Sequence, residues 1–432
     1  MIATLLFAAF AVLMFLGVPI GAALGLAGAT AIGLANADSQ WFGLLAVPQN
    51  FYAGLGKYPL LAIPMFVLVG SIFDRSGVAL RLVNFAVAIV GRGPGMLPLV
   101  AIAVAMFMGG ISGSGPATAA AVGGVMIAAM ARAGYPAAFS AAVVASAAAT
   151  DILIPPSVAF IVYSVLVAGA SVPALFAAGM FPGVLAGLAL IIPAVWLARR
   201  HRMGHLEADL PRPPFWRSLR EAAWGLAAPV VILGGMRMGW FTPTEAAVVA
   251  VFYGLFVGMV VHRTIRVRDL FEILREAGEL SAVILIVVSL AGIFAFSLST
   301  LGVIDPVTRA IVDSGLGEAG TLGVLLALLL VMGMFLDGIS IMLIFVPLVL
   351  PLVQHYQWDV VWFGTVLVLT IAIGQFTPPM AVNLMVASRI AQVRMEATTR
   401  WVLWMVLTMC VAMLLVVVFP PIALWLPARL GY

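Results

Sequence analysis

Apolar stretches close to spanning length follow one another along nearly the whole chain, separated by short polar punctuation. Residues 2–17 and 20–36 form a helical pair joined near Gly17, Val18 and Pro19. Residues 40–57, with Trp41, Pro48, Tyr52 and Lys57, read as an interfacial segment. Residues 59–73 span, and 74–95 make a polar connection around a short amphipathic piece. At 95–131 an apolar helix breaks at Ser112, Gly113, Ser114, Gly115 and Pro116, and a second apolar arm leads away. Each arm holds about 15 residues, or roughly 22 Å of helix, against a hydrocarbon core of roughly 30 Å. The pattern therefore predicts a re-entrant hairpin. Residues 136–168 span with a break at Pro155 and Pro156, and 173–198 span again.

The order then repeats. After a long polar loop at 199–220 come spans at 222–239 and 243–261, and an amphipathic charged helix at 263–279. A span at 281–300, a hairpin at 320–353 and a span at 360–388 broken at Pro378 and Pro379 follow. A last span covers 401–427. Five of the seven residues at 106–112 recur at 334–340. The two Pro-Pro breaks lie 223 residues apart, and Pro19 with Ala22 and Ala23 mirrors Pro243 with Ala246 and Ala247 at an offset of 224. Landmarks at nearly one offset indicate a duplicated architecture. Paired broken helices in such a repeat point to a transporter's binding site.

Composition fixes the solvent. The chain is 64% hydrophobic and 9% charged, with mean hydropathy +1.20, where a soluble domain carries roughly 25% charged residues. This predicts an all-α polytopic membrane protein of 432 residues. The apolar start lacks a basic leader and a clear cleavage site, so no cleavable signal peptide is expected. Cys410 is the lone cysteine, so disulfides play no part. The net charge of +4 suits anionic lipid or an anionic substrate, and no soluble basic stripe marks a nucleic-acid binder.

Charge also orients the layout. With 199–220 in the cytoplasm, 17 of the 21 Lys and Arg fall inside, and only Lys57, Arg237, Arg309 and Arg429 fall outside. That split follows the positive-inside rule. It places both termini in the periplasm and opens the two hairpins to opposite sides. The expected fold is two inverted repeats, each with a re-entrant hairpin and a Pro-Pro-broken helix, with both tips directed at the midplane.

Unwound backbone inside a membrane survives only where protein or a water-filled cavity satisfies it. Ser112, Gly113 and Ser114 offer carbonyls and hydroxyls without bulk. Pro155 removes a donor and leaves upstream carbonyls unpaired. Together they suit a small hard cation, and Gly338, Ser340, Thr377 and Pro378 make the matching second set. The plainer alternative, that Gly and Pro merely permit tight packing, explains one cluster but not two paired ones. Thr242, Pro243 and Glu245 read instead as a capping box with Pro at N1, a structural device. Asp337, beside the second tip, is a helix-end charge or a functional carboxylate. Asn383 lies just beyond the second break and contacts either substrate or the facing repeat. The methionines read as packing.

These residues resemble a known family. The runs Ile111-Ser112-Gly113-Ser114-Gly115-Pro116-Ala117-Thr118, Leu153-Ile154-Pro155-Pro156-Ser157, Phe241-Thr242-Pro243-Thr244-Glu245-Ala246-Ala247, Leu336-Asp337-Gly338 and Thr377-Pro378-Pro379 with Asn383 are similar to those of the large membrane subunit of tripartite ATP-independent periplasmic (TRAP) transporters. The resemblance covers the chain in order. It implies sodium-coupled uptake of an organic anion, such as a C4-dicarboxylate or sialic acid, across the bacterial inner membrane. It implies two partners, a periplasmic substrate-binding protein and a small four-helix membrane subunit, the latter expected on a separate chain. It implies no cofactor, with Na⁺ as the coupling ion. Ion-binding candidates are Ser112, Gly113, Ser114, Pro155, Gly338, Ser340, Thr377 and Pro378. Substrate-binding candidates are Ser114, Thr118, Asp151, Ser157, Asp337 and Asn383. It further implies an elevator: scaffold at 1–57, transport elements at 58–198, a cytoplasmic loop at 199–221, scaffold and an amphipathic arm at 222–280, transport elements at 281–400 and a C-terminal span at 401–432. One departure is Asp151, where the family commonly has a small residue, often Gly.

Two other readings compete. A divalent-anion or citrate symporter shares the hairpin logic but needs no binding protein. Gly110-Ile111-Ser112-Gly113 also fits the Gly-x-Ser-Gly pattern of intramembrane serine proteases, but that chemistry needs a base within reach of the serine. His201, His205, His262 and His355 all fall in loops or at span ends.

Overall fold

The computed structural model describes residues 2–35, 42–90, 93–207 and 212–432. Trp41 and Arg92 lie outside the described residues. Twenty α-helices run through the rest. The first five are α1 (Ile2–Phe15), α2 (Ile20–Ala35), α3 (Phe42–Leu55), α4 (Ala62–Arg75) and α5 (Val78–Val90). The first hairpin is α6 (Met96–Ser112) with α7 (Gly115–Arg132), followed by the broken pair α8 (Ala137–Ala148) and α9 (Val158–Leu166), then α10 (Val172–Arg200). Next come α11 (Phe215–Arg237), α12 (Pro243–Leu255), α13 (Asp269–Thr300) and α14 (Ile304–Asp313). The second hairpin is α15 (Gly317–Gly333) with α16 (Gly338–His355), and its broken pair is α17 (Val360–Gly374) and α18 (Val382–Ile390). The chain ends in α19 (Met395–Val418) and α20 (Pro421–Leu430). Seven helices among the described residues are long and apolar enough to cross a membrane. Both Pro-Pro breaks carry a cis peptide bond.

Several boundaries differ from expectation. The charged helix expected at 263–279 and the span expected at 281–300 are one continuous 32-residue helix, α13. Its acidic first half carries no Gly or Pro strong enough to stop a helix except Gly278, which costs only about 1 kcal/mol. The loop expected at 199–220 is shorter, because α10 runs to Arg200 and α11 starts at Phe215. The hairpin arms hold 17 or 18 residues rather than about 15. The strongly amphipathic α14 and the terminal α20 follow short breaks in apolar sequence that periodicity did not separate.

Small residues set how closely the helices approach. Gly21, Gly25 and Gly28 line one face of α2, and a Cβ on Gly28 would lie 3.0 Å from the Phe294 backbone on α13. With no hydrophobic drive between helices in lipid, such contact faces carry the packing. Ser297 Oγ closes the seam by donating to Gly28 O at 3.0 Å. Helices α2 and α3 pack with α13, α1 packs on α2 and sets Phe7 and Phe10 against Phe294, and α12 packs with α4. The first hairpin packs on α8, and the second on α17 through the mutual approach of Gly333 and Gly374. The capping box forms as read: Glu245 N donates to Thr242 Oγ1 at 3.3 Å, and Thr242 N donates to Glu245 Oε2 at 2.8 Å.

The outer ends of the hairpins are pinned too. Buried Glu207 accepts from Leu97 N at 2.9 Å and from Tyr135 Oη at 2.6 Å, and Gly95 N donates to that hydroxyl at 2.7 Å. Burial pushes the Glu207 carboxyl above its ordinary range. At the second hairpin Trp358 Nε1 donates to Glu318 Oε1 at 2.9 Å.

Candidate functional site

Both hairpin tips open on one cavity of about 820 Å³. The first tip contributes residues 112–117, the second Asp337, Gly338 and Ile339. The wall is completed by Asp74 and Arg75 of α4, Glu276 and Glu279 of α13, and Gln375 at the end of α17.

At the first tip α6 stops because Gly113 turns left-handed, at φ +61°. A Cβ there would lie 2.6 Å from Pro156 O, so the tip seats directly on the first Pro-Pro break. Behind it Asp151 is fully buried. Its Oδ2 accepts from Ser112 Oγ at 2.8 Å and Thr118 Oγ1 at 2.6 Å, while Oδ1 has no hydrogen-bond partner among the described residues. Ser114 N donates to Ser112 Oγ at 3.5 Å, which ties the tip backbone to the same network. Gly109 makes room for it: a Cβ there would sit 2.9 Å from Asp151 Cα. Ser114 is the N-cap of α7, and its side chain caps nothing.

The second tip caps itself. Asp337 is the N-cap of α16, accepting from Ile339 N and Ser340 N, both at 3.1 Å, and from Ser340 Oγ. Asp337 is thus a helix-end charge that also lines the cavity.

The breaks satisfy part of their own backbone. Ser157 Oγ donates to Ile152 O and Thr377 Oγ1 donates to Ile373 O, both at 2.6 Å. The hydroxyls expected to face an ion or substrate thus spend their protons on carbonyls that the breaks release. Thr118 and Ser157 are buried and do not line the cavity, nor do Ser340, Thr377, Pro155, Pro378 or Asn383. Ser112, Gly113, Ser114, Asp337 and Gly338 do.

Sequence reading missed five wall residues, Asp74, Arg75, Glu276, Glu279 and Gln375. Arg75 is ion-paired with Glu276 across α4 and α13. Arg75 falls in the connection expected at 74–95 and Glu276 in the charged helix expected at 263–279, because nothing local shows that these two helices face the hairpin tips. Gln375 has no motif of its own. Among the described residues no cluster of three His, Cys, Asp or Glu could hold a metal ion. An alkali ion here would rest on carbonyls, hydroxyls and single carboxylates. The partners of Ser112 Oγ are Asp151, Thr118 and the Ser114 N–H, with no histidine among them.

Residues 7–422 match the family described as the tripartite ATP-independent periplasmic transporter, DctM component. The chain is 37% identical to the C4-dicarboxylate TRAP transporter large permease protein DctM of Pseudomonas aeruginosa, over 87% of each. It is 34% identical to the sialic acid TRAP transporter large permease protein SiaM of Vibrio cholerae, over 97% of each. It is 36% identical to the isethionate TRAP transporter permease protein DctMQ of Oleidesulfovibrio alaskensis, over 97% of this chain and 65% of that one. The Alcanivorax borkumensis YdaH transporter shares its fold, with TM-score 0.61, 12% identity, and 95% and 98% of the two chains covered.

Proposed function

We propose, for a chain that belongs to the DctM family of tripartite ATP-independent periplasmic transporters, sodium-coupled uptake of an organic acid across the bacterial inner membrane. The family consists of transporter permeases, not enzymes. The observation that carries the reading is the shared cavity, which joins two broken-helix tips to one another and to a wall of carboxylates. Asp74, Glu276, Glu279 and Asp337 line it together with Arg75, so carboxylates outnumber the cation there. Such a wall repels an anion unless cations enter with it, which is the physical case for coupling to Na⁺. The ion would draw on Ser112, Gly113, Ser114 and Asp151 at the first tip, and on Gly338, Ser340, Thr377 and Pro378 at the second.

The named relatives handle a C4-dicarboxylate, sialic acid and isethionate, which supports an acid of that kind here. A periplasmic binding protein would deliver it, and a small membrane subunit would complete the scaffold. The two hairpins and broken helices would move as an elevator, as inverted repeats, with both termini in the periplasm.

The test is reconstitution in vesicles with the small subunit and binding protein. Uptake of succinate, N-acetylneuraminate or isethionate is expected only with an inward sodium gradient and with all three components. Robust uptake without the binding protein would favour a symporter that takes substrate directly.

A further inference from the structure

The geometry points to Gln375 as a substrate-binding residue: with the N-terminus of α7 it seats one acid group of the transported anion, and Asn383 positions it from behind. This rests on the transport reading above and adds the place where the acid group is held.

The two helix N-termini at the cavity differ. That of α16 already holds a carboxylate, the side chain of Asp337. That of α7 has no side-chain cap. Its first turn presents Gly115 and Ala117 to the cavity; Pro116 has no N–H, and Thr118 N is spent on Ser114 O at 3.0 Å. A helix N-terminus favours an anion through its free N–H groups and its dipole.

Two buried amides lie against that terminus without side-chain partners among the described residues. Gln375 is 8% exposed and lines the cavity, and its Oε1 has no hydrogen bond. Asn383 is fully buried, and neither its Oδ1 nor its Nδ2 has one among the described residues. A Cβ built on Gly115 would lie 2.9 Å from both ends of the Asn383 amide and 3.0 Å from Gln375 Oε1. The Gln375 side chain reaches the other tip as well, with Nε2 3.2 Å from a Cβ built on Gly338. Asn383 N donates to Gln375 O at 3.0 Å and fixes the backbone of the pair across the second break. Buried unpaired amides are costly, and each such group calls for an explanation.

An acid group at α7 supplies it. The terminal torsion of a glutamine is two-fold, so its two ends exchange by rotation. The oxygen facing Gly115 has no bond to lose on turning. The N–H end then donates to the bound anion, a charge-assisted bond. The competing seats are taken: Ser112 and Thr118 bind Asp151, and Arg75 binds Glu276.

The test measures binding of succinate, N-acetylneuraminate and isethionate to the full chain purified with its small subunit, in saturating sodium. The parent is expected to bind at least one of the three. Gln375→Leu should bind it about tenfold more weakly, and Gln375→Glu more weakly still, because its carboxylate repels the ligand. Gly115→Ala should weaken it as well, by pressing on both amides. All three should keep the parent's sodium-dependent thermal shift, which certifies folding. A purely structural Gln375 reverses the order, since Glu keeps its shape and Leu does not. Parent affinity in Gln375→Leu and Gln375→Glu, or an order with Glu the better binder, overturns the inference while leaving the transport reading intact. A parent that binds none of the three acids overturns the transport reading and this inference with it.

Discussion

The two hairpin tips look alike in sequence and are built differently. At the second, Asp337 sits on its own helix N-terminus, and Ser340 supports it from one turn on. Cap, helix and hydroxyl belong to one segment. At the first, the carboxylate comes from another helix: Asp151, 39 residues from Ser112, reaches the tip from the Pro-Pro break. The hydroxyls of Ser112 and Thr118 then serve Asp151, and the α7 N-terminus stays uncapped. A locally capped tip is a stable structural end. A tip whose charge is borrowed across the break couples hairpin to broken helix, so any change in that charge is felt by both.

The sharpest way to break the contrast is at the turning glycines. Gly113→Ala forces a left-handed residue and drives a Cβ to 2.6 Å of the Pro156 carbonyl. Backbone cannot give way there, so a loss of about 3 kcal/mol or more is expected, seen as lost folded yield and a lower melting temperature. Gly338→Ala meets Ile371 Cγ2 at 2.7 Å and Gln375 Nε2 at 3.2 Å, ends of side chains that can shift. Its melting temperature should fall less.

Next come the carboxylates. Asp151→Ala removes the shared acceptor of Ser112 and Thr118; those hydroxyls can still pair at 3.0 Å, so one buried donor is stranded, at a cost of about 1–3 kcal/mol. Asp337→Ala removes an N-cap, typically about 1 kcal/mol. Thermal melts of the two variants in detergent should rank in that order.

Serine substitution separates function from stability. Ser112→Ala and Ser340→Ala each remove one hydroxyl and little apolar surface. Both should raise the sodium concentration for half-maximal uptake, by roughly three- to tenfold, or about 1 kcal/mol. The Ser112 effect should be the larger, since that hydroxyl joins two elements. Sodium curves matching the parent in both variants would move the ion away from the serines.

The smallest contrast is at the outer ends, where Glu207 is buried and Glu318 is exposed. Glu207→Ala should cost about 1–2 kcal/mol, and Glu318→Ala under about 1 kcal/mol. Because the folded Glu207 carboxyl titrates above its unfolded value, the folded state binds protons more readily. Its contribution is therefore full at low pH and is lost as pH rises through the folded value. Glu207→Gln should flatten that dependence in melts taken across the acid-to-neutral range.

Much of this is legible in the sequence itself. The hairpins, the two breaks and the capping box all rest on local rules: helix period, proline chemistry and side-chain reach within one turn. The self-capped tip is of this kind, since Asp337 and Ser340 are three residues apart. The first tip is not. That Asp151 meets Ser112 and Thr118 follows from how the break folds back on the hairpin. Gln375 is plainer still: it is one glutamine between Gly374 and Phe376, and its place between the tips exists only in three dimensions. The same holds for Arg75 with Glu276 and for Tyr135 with Glu207. Continuous α13 was obscured for another reason, since its polar first half looked like a separate surface helix.

One measurement bears most directly on the claim that the borrowed carboxylate, not the self-capping one, is tied to the coupling ion. Sodium dependence of uptake is recorded in vesicles holding the complete three-component system, with the parent, Asp151→Asn and Asp337→Asn. Both substitutions keep shape and remove charge. The expected result is a sodium half-saturation raised about tenfold or more in Asp151→Asn, with Asp337→Asn within about threefold of the parent. Superimposed curves for parent and Asp151→Asn, or a larger shift in Asp337→Asn, would contradict it.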